Sequence, residues 1–253
     1  AQRCLENYAR PKTRASTFAE SVRLLGFKVS GDKIELRDED GSWPARTWKG
    51  RKAHEITKRD VSDLLDDIQR DRSGYAANST HAALRTLFNW HVARMDAPMV
   101  SPVRDIRRQH KPKQGGRVLQ DHELRLVWLA AGQIGWPFGH LVRLLILTGC
   151  RRDEWAEARW AEVDLSRKIF NLPGERTKNH RPHTVPLSPL AMTILEEAQG
   201  LALRGEPDWV LSTGYGRSAS AGEKPKLAPI SGFSKAKTRL DAAVPAIAKK
   251  ESI

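Results

Sequence analysis

The residues of this chain best suited to chemistry lie in two short words. The first is Leu147-Thr148-Gly149-Cys150-Arg151-Arg152-Asp153-Glu154-Trp155. A strongly apolar helix over Leu141 to Thr148 is stopped by Gly149, and a new helix follows through Trp155 to Trp160, so Arg151 and Arg152 stand at a helix start. A guanidinium placed there can bind two nonbridging oxygens of a phosphate in a bidentate fork, a planar geometry that lysine cannot reproduce. Glu154, three residues on, shares a helical face with Arg151 and can hold it, or a neighbouring basic group, in position. The plainer role for Arg151 is an ordinary salt bridge to Glu154 or Asp153.

The second word is Thr177-Lys178-Asn179-His180-Arg181-Pro182-His183-Thr184-Val185-Pro186-Leu187-Ser188. Its lysine carries a flexible ammonium, able to act as a general acid toward a departing oxygen. The plainer role is a solvated turn lysine. His180, Arg181 and His183 can add phosphate contacts, and each also reads as a surface or strand residue.

Several elements must position these groups. Val163 to Leu172 reads as a strand with a turn at Pro173 and Gly174, and a return strand is expected at His183 to Leu187. Asp121 reads as the cap of a helix bearing Leu124, Val127, Trp128 and Ala131. Ser188 caps another, with Leu190, Ile194, Leu195 and Ala198 on one side. Trp155 and Trp160 read as core anchors, Trp209 to Leu211 as a short buried segment, Gly214 to Pro229 as a loop, and Phe233 to Ala243 as a last helix. Earlier in the chain, Asp60 can cap a helix whose Val61, Leu64, Leu65 and Ile68 form one apolar stripe. Asn78 can open another, with Leu84, Leu87, Phe88 and His91 on one face and an end near Met95. Before them lie a possible helix at Thr17 to Leu25 and a polar segment from Gly31 to Gly41. The fold class expected is mainly α with a small β-sheet.

Lys and Arg number 43 against 30 Asp and Glu, a formal net charge of +13, which favours a polyanionic partner such as nucleic acid. Between Ser101 and Gln120 the apolar periodicity stops, and Arg104, Arg107, Arg108, Lys111, Lys113 and Arg117 appear among prolines and glycines. This reads as a basic linker able to lie along a phosphate backbone. Cys4 and Cys150 are far apart and lack metal-ligand spacing, so neither a disulfide framework nor a metal site is indicated. No apolar run approaches a membrane span and no signal-peptide order opens the chain, so a cytoplasmic location is expected. The first residue is not methionine, which suggests a fragment.

Taken in order, the two words resemble the tyrosine recombinases, in which a helix ends in Thr-Gly-x-Arg-x-x-Glu and a downstream hairpin carries a lysine just before a Val-Pro-Leu strand. The hairpin with His183 is most similar to the integrases of phage P4 type. The likeness extends back through Val118-Leu119 and Glu123-Leu124, through Phe88-Asn89-Trp90, and through Ile56-Thr57-Lys58-Arg59-Asp60-Val61, so it covers about Trp43 to the end. It selects Arg151 over Arg152 as the catalytic guanidinium, leaving Arg152 among the DNA contacts. It makes Lys178 the general acid at a hairpin turn and Glu154 a supporting residue.

The resemblance implies residues 43–110 as a helical core-binding domain, 111–117 as a linker and 118–253 as a catalytic domain, with duplex DNA passing between the two; residues 1–42 stay unassigned. It implies strand exchange at double-stranded attachment sites through a 3′-phosphotyrosine and a four-way junction, by tetramers on DNA that can be monomers when free, without metal or nucleotide. The family's His-x-x-Arg box, later His or Trp, and C-terminal tyrosine do not occur here. Tyr8, Tyr75 and Tyr215 all stand outside that context, so these residues alone are expected not to cleave DNA. The alternatives are a noncatalytic DNA-binding or regulatory protein derived from the same fold and, on charge alone, an RNA-binding protein.

Overall fold

The computed structural model describes residues 1–37, 43–96, 99–107, 117–201, 208–215 and 227–251. The chain divides into two compact units, Ala1–Gly116 and Arg117–Ile253. Helices dominate both, accompanied by small antiparallel sheets.

In the first unit a short helical run over residues 2–12 precedes α1 (Ala15–Leu24), a hairpin of β1 (Phe27–Ser30) and β2 (Lys33–Leu36), and two long helices, α2 (Lys58–Asp71) and α3 (Gly74–Val92). The polar segment read from sequence is therefore partly a hairpin, with Gly31 at its turn at φ +58°, a left-handed value that glycine tolerates. Residues 38–42, its far end, lie outside the described residues.

Thr57, and not Asp60, caps α2. Its Oγ1 accepts the Asp60 N–H at 3.2 Å, while Asp60 Oδ2 accepts the Thr57 N–H at 2.7 Å, so Asp60 closes a capping box from the third helical position. The stripe behaves as read: Val61, Leu64, Leu65 and Ile68 are all buried. Ser73 caps α3 by accepting from Ala76 N–H, so that helix opens ahead of Asn78 and ends at Val92. Leu5, Phe18, Val22 and Leu25 from the first 42 residues share one core with Leu65, Leu84 and Phe88, which gives the unassigned N-terminal segment a packing role.

The second unit opens with α4 (Asp121–Ile134), followed by α5 (Phe138–Thr148) and the five-residue α6 (Arg152–Ala156). Gln120 rather than Asp121 is the N-cap of α4, in a capping box with Glu123. Its buried face is Leu126, Ala130 and Ala131, whereas Leu124 points outward. Gly149 ends α5 at φ +64°, as expected of a left-handed C-terminal residue.

The strand expected from Val163 to Leu172 is instead a hairpin, β3 (Val163–Asp164) and β4 (Ile169–Leu172), extended by β5 (His183–Pro186) into a sheet of order β3-β4-β5. The break has a local cause. Asp164 Oδ1 accepts from Ser166 Oγ at 2.7 Å and from Arg167 N–H at 2.9 Å, and Lys168 takes φ +55°. Phe170 pairs with Val185 and Asn171 with Thr184 across β4 and β5.

The helix read as running through to Trp160 stops at Ala156, and a 3₁₀ turn (Trp160–Glu162) follows. Helix α7 (Pro189–Leu201) is capped by Ser188, whose Oγ accepts from Ala191 N–H at 3.2 Å. The ends of the expected Gly214–Pro229 loop are strands, β6 (Ser212–Tyr215) and β7 (Leu227–Pro229); residues 216–226 lie outside the described residues. The last helix, α8 (Phe233–Glu251), runs past Ala243 and ties to α4 through Arg125 and Glu251 at 2.8 Å. Among the described residues no helix is long and apolar enough to cross a membrane.

Candidate active site

Arg151 is the N-cap of α6, extended at φ −71° and ψ 149°, so its side chain leaves the chain where the left-handed Gly149 has turned it. Glu154 grips it twice. One carboxylate oxygen accepts the Arg151 N–H at 2.7 Å, and the other accepts from the guanidinium at 2.8 Å. Glu154 is 8% exposed while the Arg151 side chain is 70% exposed. The arrangement is asymmetric: a buried anchor orients a guanidinium whose remaining donors face water. The salt bridge read from sequence as the plainer role is thus present, and it leaves the fork free to engage a second anion.

The floor beneath is built by Thr148 and Trp155. Thr148 Oγ1 donates to the Leu144 carbonyl at 2.7 Å and accepts from Trp155 Nε1 at 2.9 Å. Burial pushes the Cys150 thiol upward, and the Glu154 carboxylate adds to the rise, so the thiol favours its neutral form.

Opposite the helix start stands the loop between β4 and β5. Gly174–Arg176 makes one 3₁₀ turn. Thr177 is buried, and its hydroxyl makes close approaches to the carbonyls of Gly174 at 3.0 Å and Arg181 at 2.7 Å, which draws the loop closed. The chain comes so near itself that a Cβ on Gly174 would meet the His180 carbonyl oxygen at 2.8 Å.

These two segments enclose one cavity of about 520 Å³, lined from the helix start by Cys150, Arg151 and Glu154 and from the loop by Thr177, Asn179, Arg181 and His183. Lys178 is exposed in the turn between two lining residues, Thr177 and Asn179, and is not itself part of the lining. Three basic residues, Arg151, Arg181 and His183, therefore line a space whose one carboxylate is already engaged, an arrangement suited to an anion such as phosphate.

The other residues singled out by sequence are spread more widely. Arg152 turns away from the cavity, its guanidinium 4.4 Å from the Phe233 ring centroid and 2.7 Å from Asp153. His180 is exposed at φ +55°. Arg117 is exposed but paired with Glu123 at 2.9 Å. Arg104 lies 3.8 Å from Asp105, and Arg107 is exposed, both in the first unit. Arg108, Lys111 and Lys113 lie outside the described residues. Among the described residues no group of three or more His, Cys, Asp or Glu side chains could hold a metal ion.

Sequence reasoning passed over Arg176. Its guanidinium pairs with Glu162 and donates to the Glu154 carbonyl at 2.6 Å, joining the loop to the end of α6. An arginine two residues before Lys178 was visible in the sequence, but its partners are 14 and 22 residues away and no local pattern announces them.

Residues 120–214 match the family model described as the phage integrase family. Prophage integrase IntZ of Escherichia coli K12 is 30% identical over 146 residues, 56% of this chain and 36% of that protein. Prophage integrase IntA of the same strain is 46% identical over 57 residues, 22% of this chain and 14% of that protein. The matched stretches thus span well under half of these relatives.

In fold, 96% of the chain is similar to 64% of a lambda integrase chain from a tetramer bound to a Holliday junction, at a TM-score of 0.65 and 15% identity. Likewise 98% of it is similar to 80% of the Tn1549 transposon integrase in complex with a circular intermediate DNA, at a TM-score of 0.55 and 11% identity. The Arg151 and Lys178 words both lie inside residues 120–214, the segment that matches the phage integrase family, and the chain shares the fold of these integrases.

Proposed function

We propose that the protein is a site-specific DNA recombinase acting on double-stranded attachment sites, and that the cavity between Arg151 and the Lys178 turn receives the scissile phosphate. The observation that carries this reading is the buried Glu154, which aims the exposed Arg151 guanidinium into a space also lined by Arg181 and His183. In this reading Arg151 binds the nonbridging oxygens, where charge grows as a tyrosine attacks phosphorus. As the tyrosine oxygen, its phenolic proton lost to water, bonds to phosphorus, the bond to the 5′ oxygen breaks and Lys178 passes a proton to that oxygen, leaving a 3′-phosphotyrosine and a free 5′ hydroxyl. The covalent intermediate retains the energy of the broken bond, so resealing needs no nucleotide.

The finer assignments follow from the same reading: residues 43–110 as a core-binding domain, 118–253 as catalytic, a P4-type affinity, and protomers that are monomeric when free and tetrameric on a cytoplasmic DNA junction. Residues 1–253 by themselves would bind duplex DNA without cleaving it, the nucleophile being supplied from outside them. The natural full-length protein on a nicked duplex tests the proposal. A covalent protein–DNA adduct is expected, lost in Arg151→Ala while much of the DNA affinity stays. Undiminished adduct in Arg151→Ala overturns the assignment. If the full-length protein binds its site without forming adduct, the noncatalytic DNA-binding reading takes its place.

A further inference from the structure

We infer that Arg176 is a positioning residue, one that sets the Lys178 ammonium relative to the phosphate held by Arg151; the inference rests on the function proposed above. Glu154 faces both ways. Its carboxylate holds Arg151, and its backbone carbonyl accepts from Arg176 at 2.6 Å. Helix α6 is only five residues long, so its last carbonyls need partners from outside the helix. The Asp153 carbonyl takes the Glu157 N–H at 3.1 Å and a longer contact from Arg176 at 3.4 Å, that of Trp155 takes the Ala158 N–H at 3.1 Å, and that of Glu154 takes Arg176 at 2.6 Å.

On its other side the Arg176 guanidinium pairs with Glu162, which also caps its own 3₁₀ turn by accepting the Arg159 N–H at 3.0 Å. The side chains of this pair are 18% and 13% exposed, so the contact is held in a weakly screened setting where a lost partner is costly.

The link to Lys178 is short. Two residues of chain reach at most about 7 Å, and the buried Thr177 between them is fixed by its hydroxyl contacts to Gly174 and Arg181. An ammonium on a long flexible stem cannot aim itself; fixing its backbone reduces the volume it searches. Arg176 thus connects the residue proposed to bind the phosphate with the residue proposed to protonate the leaving group, touching neither the DNA nor the reacting atoms.

The test uses the natural full-length protein and two DNAs, one normal and one with sulfur in place of the bridging 5′ oxygen. A departing thiolate needs no proton, because a thiol loses its proton near pH 8.5, whereas a departing alkoxide does. Arg176→Met should slow cleavage of normal DNA by about 10- to 100-fold and cleave the sulfur-containing DNA within about threefold of the unsubstituted protein. Lys178→Ala should show the same rescue. Arg176→Lys keeps the charge but cannot span Glu162 and the Glu154 carbonyl with one planar fork, so it should fall between; if Arg176→Met does not fold, as judged by thermal melting, this variant carries the same comparison.

Equal slowing on both DNAs, or none on either, overturns the positioning role while leaving the proposed function standing. Failure of the unsubstituted full-length protein to cleave either DNA overturns both.

Discussion

The indole of Trp155 stacks on the ring of Phe170, with centroids 4.1 Å apart and planes 24° from parallel. This contact joins α6, which begins next to Arg151, to β4, which leads into the Lys178 turn. Both rings are fully buried, and Trp155 Nε1 also donates to Thr148 at 2.9 Å beneath the cavity. Trp155→Ala should destabilise the protein by about 3–5 kcal/mol through lost contacts and a cavity. Trp155→Phe, keeping a ring but removing the donor, should cost about 1 kcal/mol. Chemical denaturation of the two variants checks the ranking, and equal losses would show that the hydrogen bond rather than the stacked ring matters most.

Two glycines make a paired prediction. Gly174→Ala places a methyl group 2.8 Å from the His180 carbonyl, so the loop carrying Lys178 must move. Gly200 in α7 has nothing within 4 Å of an added Cβ. Gly200→Ala should stabilise the protein by about 0.5–1 kcal/mol from helix propensity alone. Gly174→Ala should instead lower DNA cleavage by the full-length protein with a smaller effect on melting. A Gly174→Ala variant with unaltered cleavage would show that the loop tolerates displacement.

His140 predicts a pH response of stability. Burial lowers its pKa below the ordinary 6.5, and nearby Arg143 lowers it further, against the opposing pull of Glu197 at 3.4 Å. That distance is an ion-pair contact without hydrogen-bond geometry, and the Glu197 side chain is 53% exposed and so screened, which is why burial prevails. With the folded pKa depressed, the unfolded chain binds the proton more readily. The contribution is therefore complete above about pH 6.5 and declines as the pH falls through that value toward the lower folded pKa. Melting temperatures at pH 8 and pH 5.5 should differ less in His140→Phe than in the unsubstituted protein; an unchanged difference would assign the response to other groups.

DNA binding should depend on salt in proportion to the phosphates neutralised. Arg107→Ala should reduce the slope of log affinity against log salt by roughly 0.9 if that side chain meets one phosphate. Arg117→Ala should change it less, because Arg117 is already engaged by Glu123, whose pKa is lowered first by the Gln120 N–H and next by this guanidinium. Equal slopes for the unsubstituted protein and both variants would remove these two residues from the interface.

Much of this was legible in local sequence. Glycine stopping α5, the Arg151-to-Glu154 spacing, the stripe on α2 and the return strand at His183 are each fixed within a few residues by backbone sterics and helical geometry. Local competition explains the misreadings: Thr57 outbids Asp60 for the cap because a threonine with an aspartate three residues on satisfies two N–H groups at once, and Asp164 folds its own turn into what looked like one strand.

What only tertiary structure decided is that Arg152 turns to Phe233 and Asp153, that the first 42 residues complete a core, and that Arg176 ties the lysine turn to the Arg151 helix. The sequence determined the chemical groups and their local frames, since those depend on neighbours three or four residues away. Contacts such as Arg152 with Phe233 and Arg176 with Glu154 join residues 81 and 22 positions apart. Their energies come from burial and packing that exist only once the chain has closed on itself.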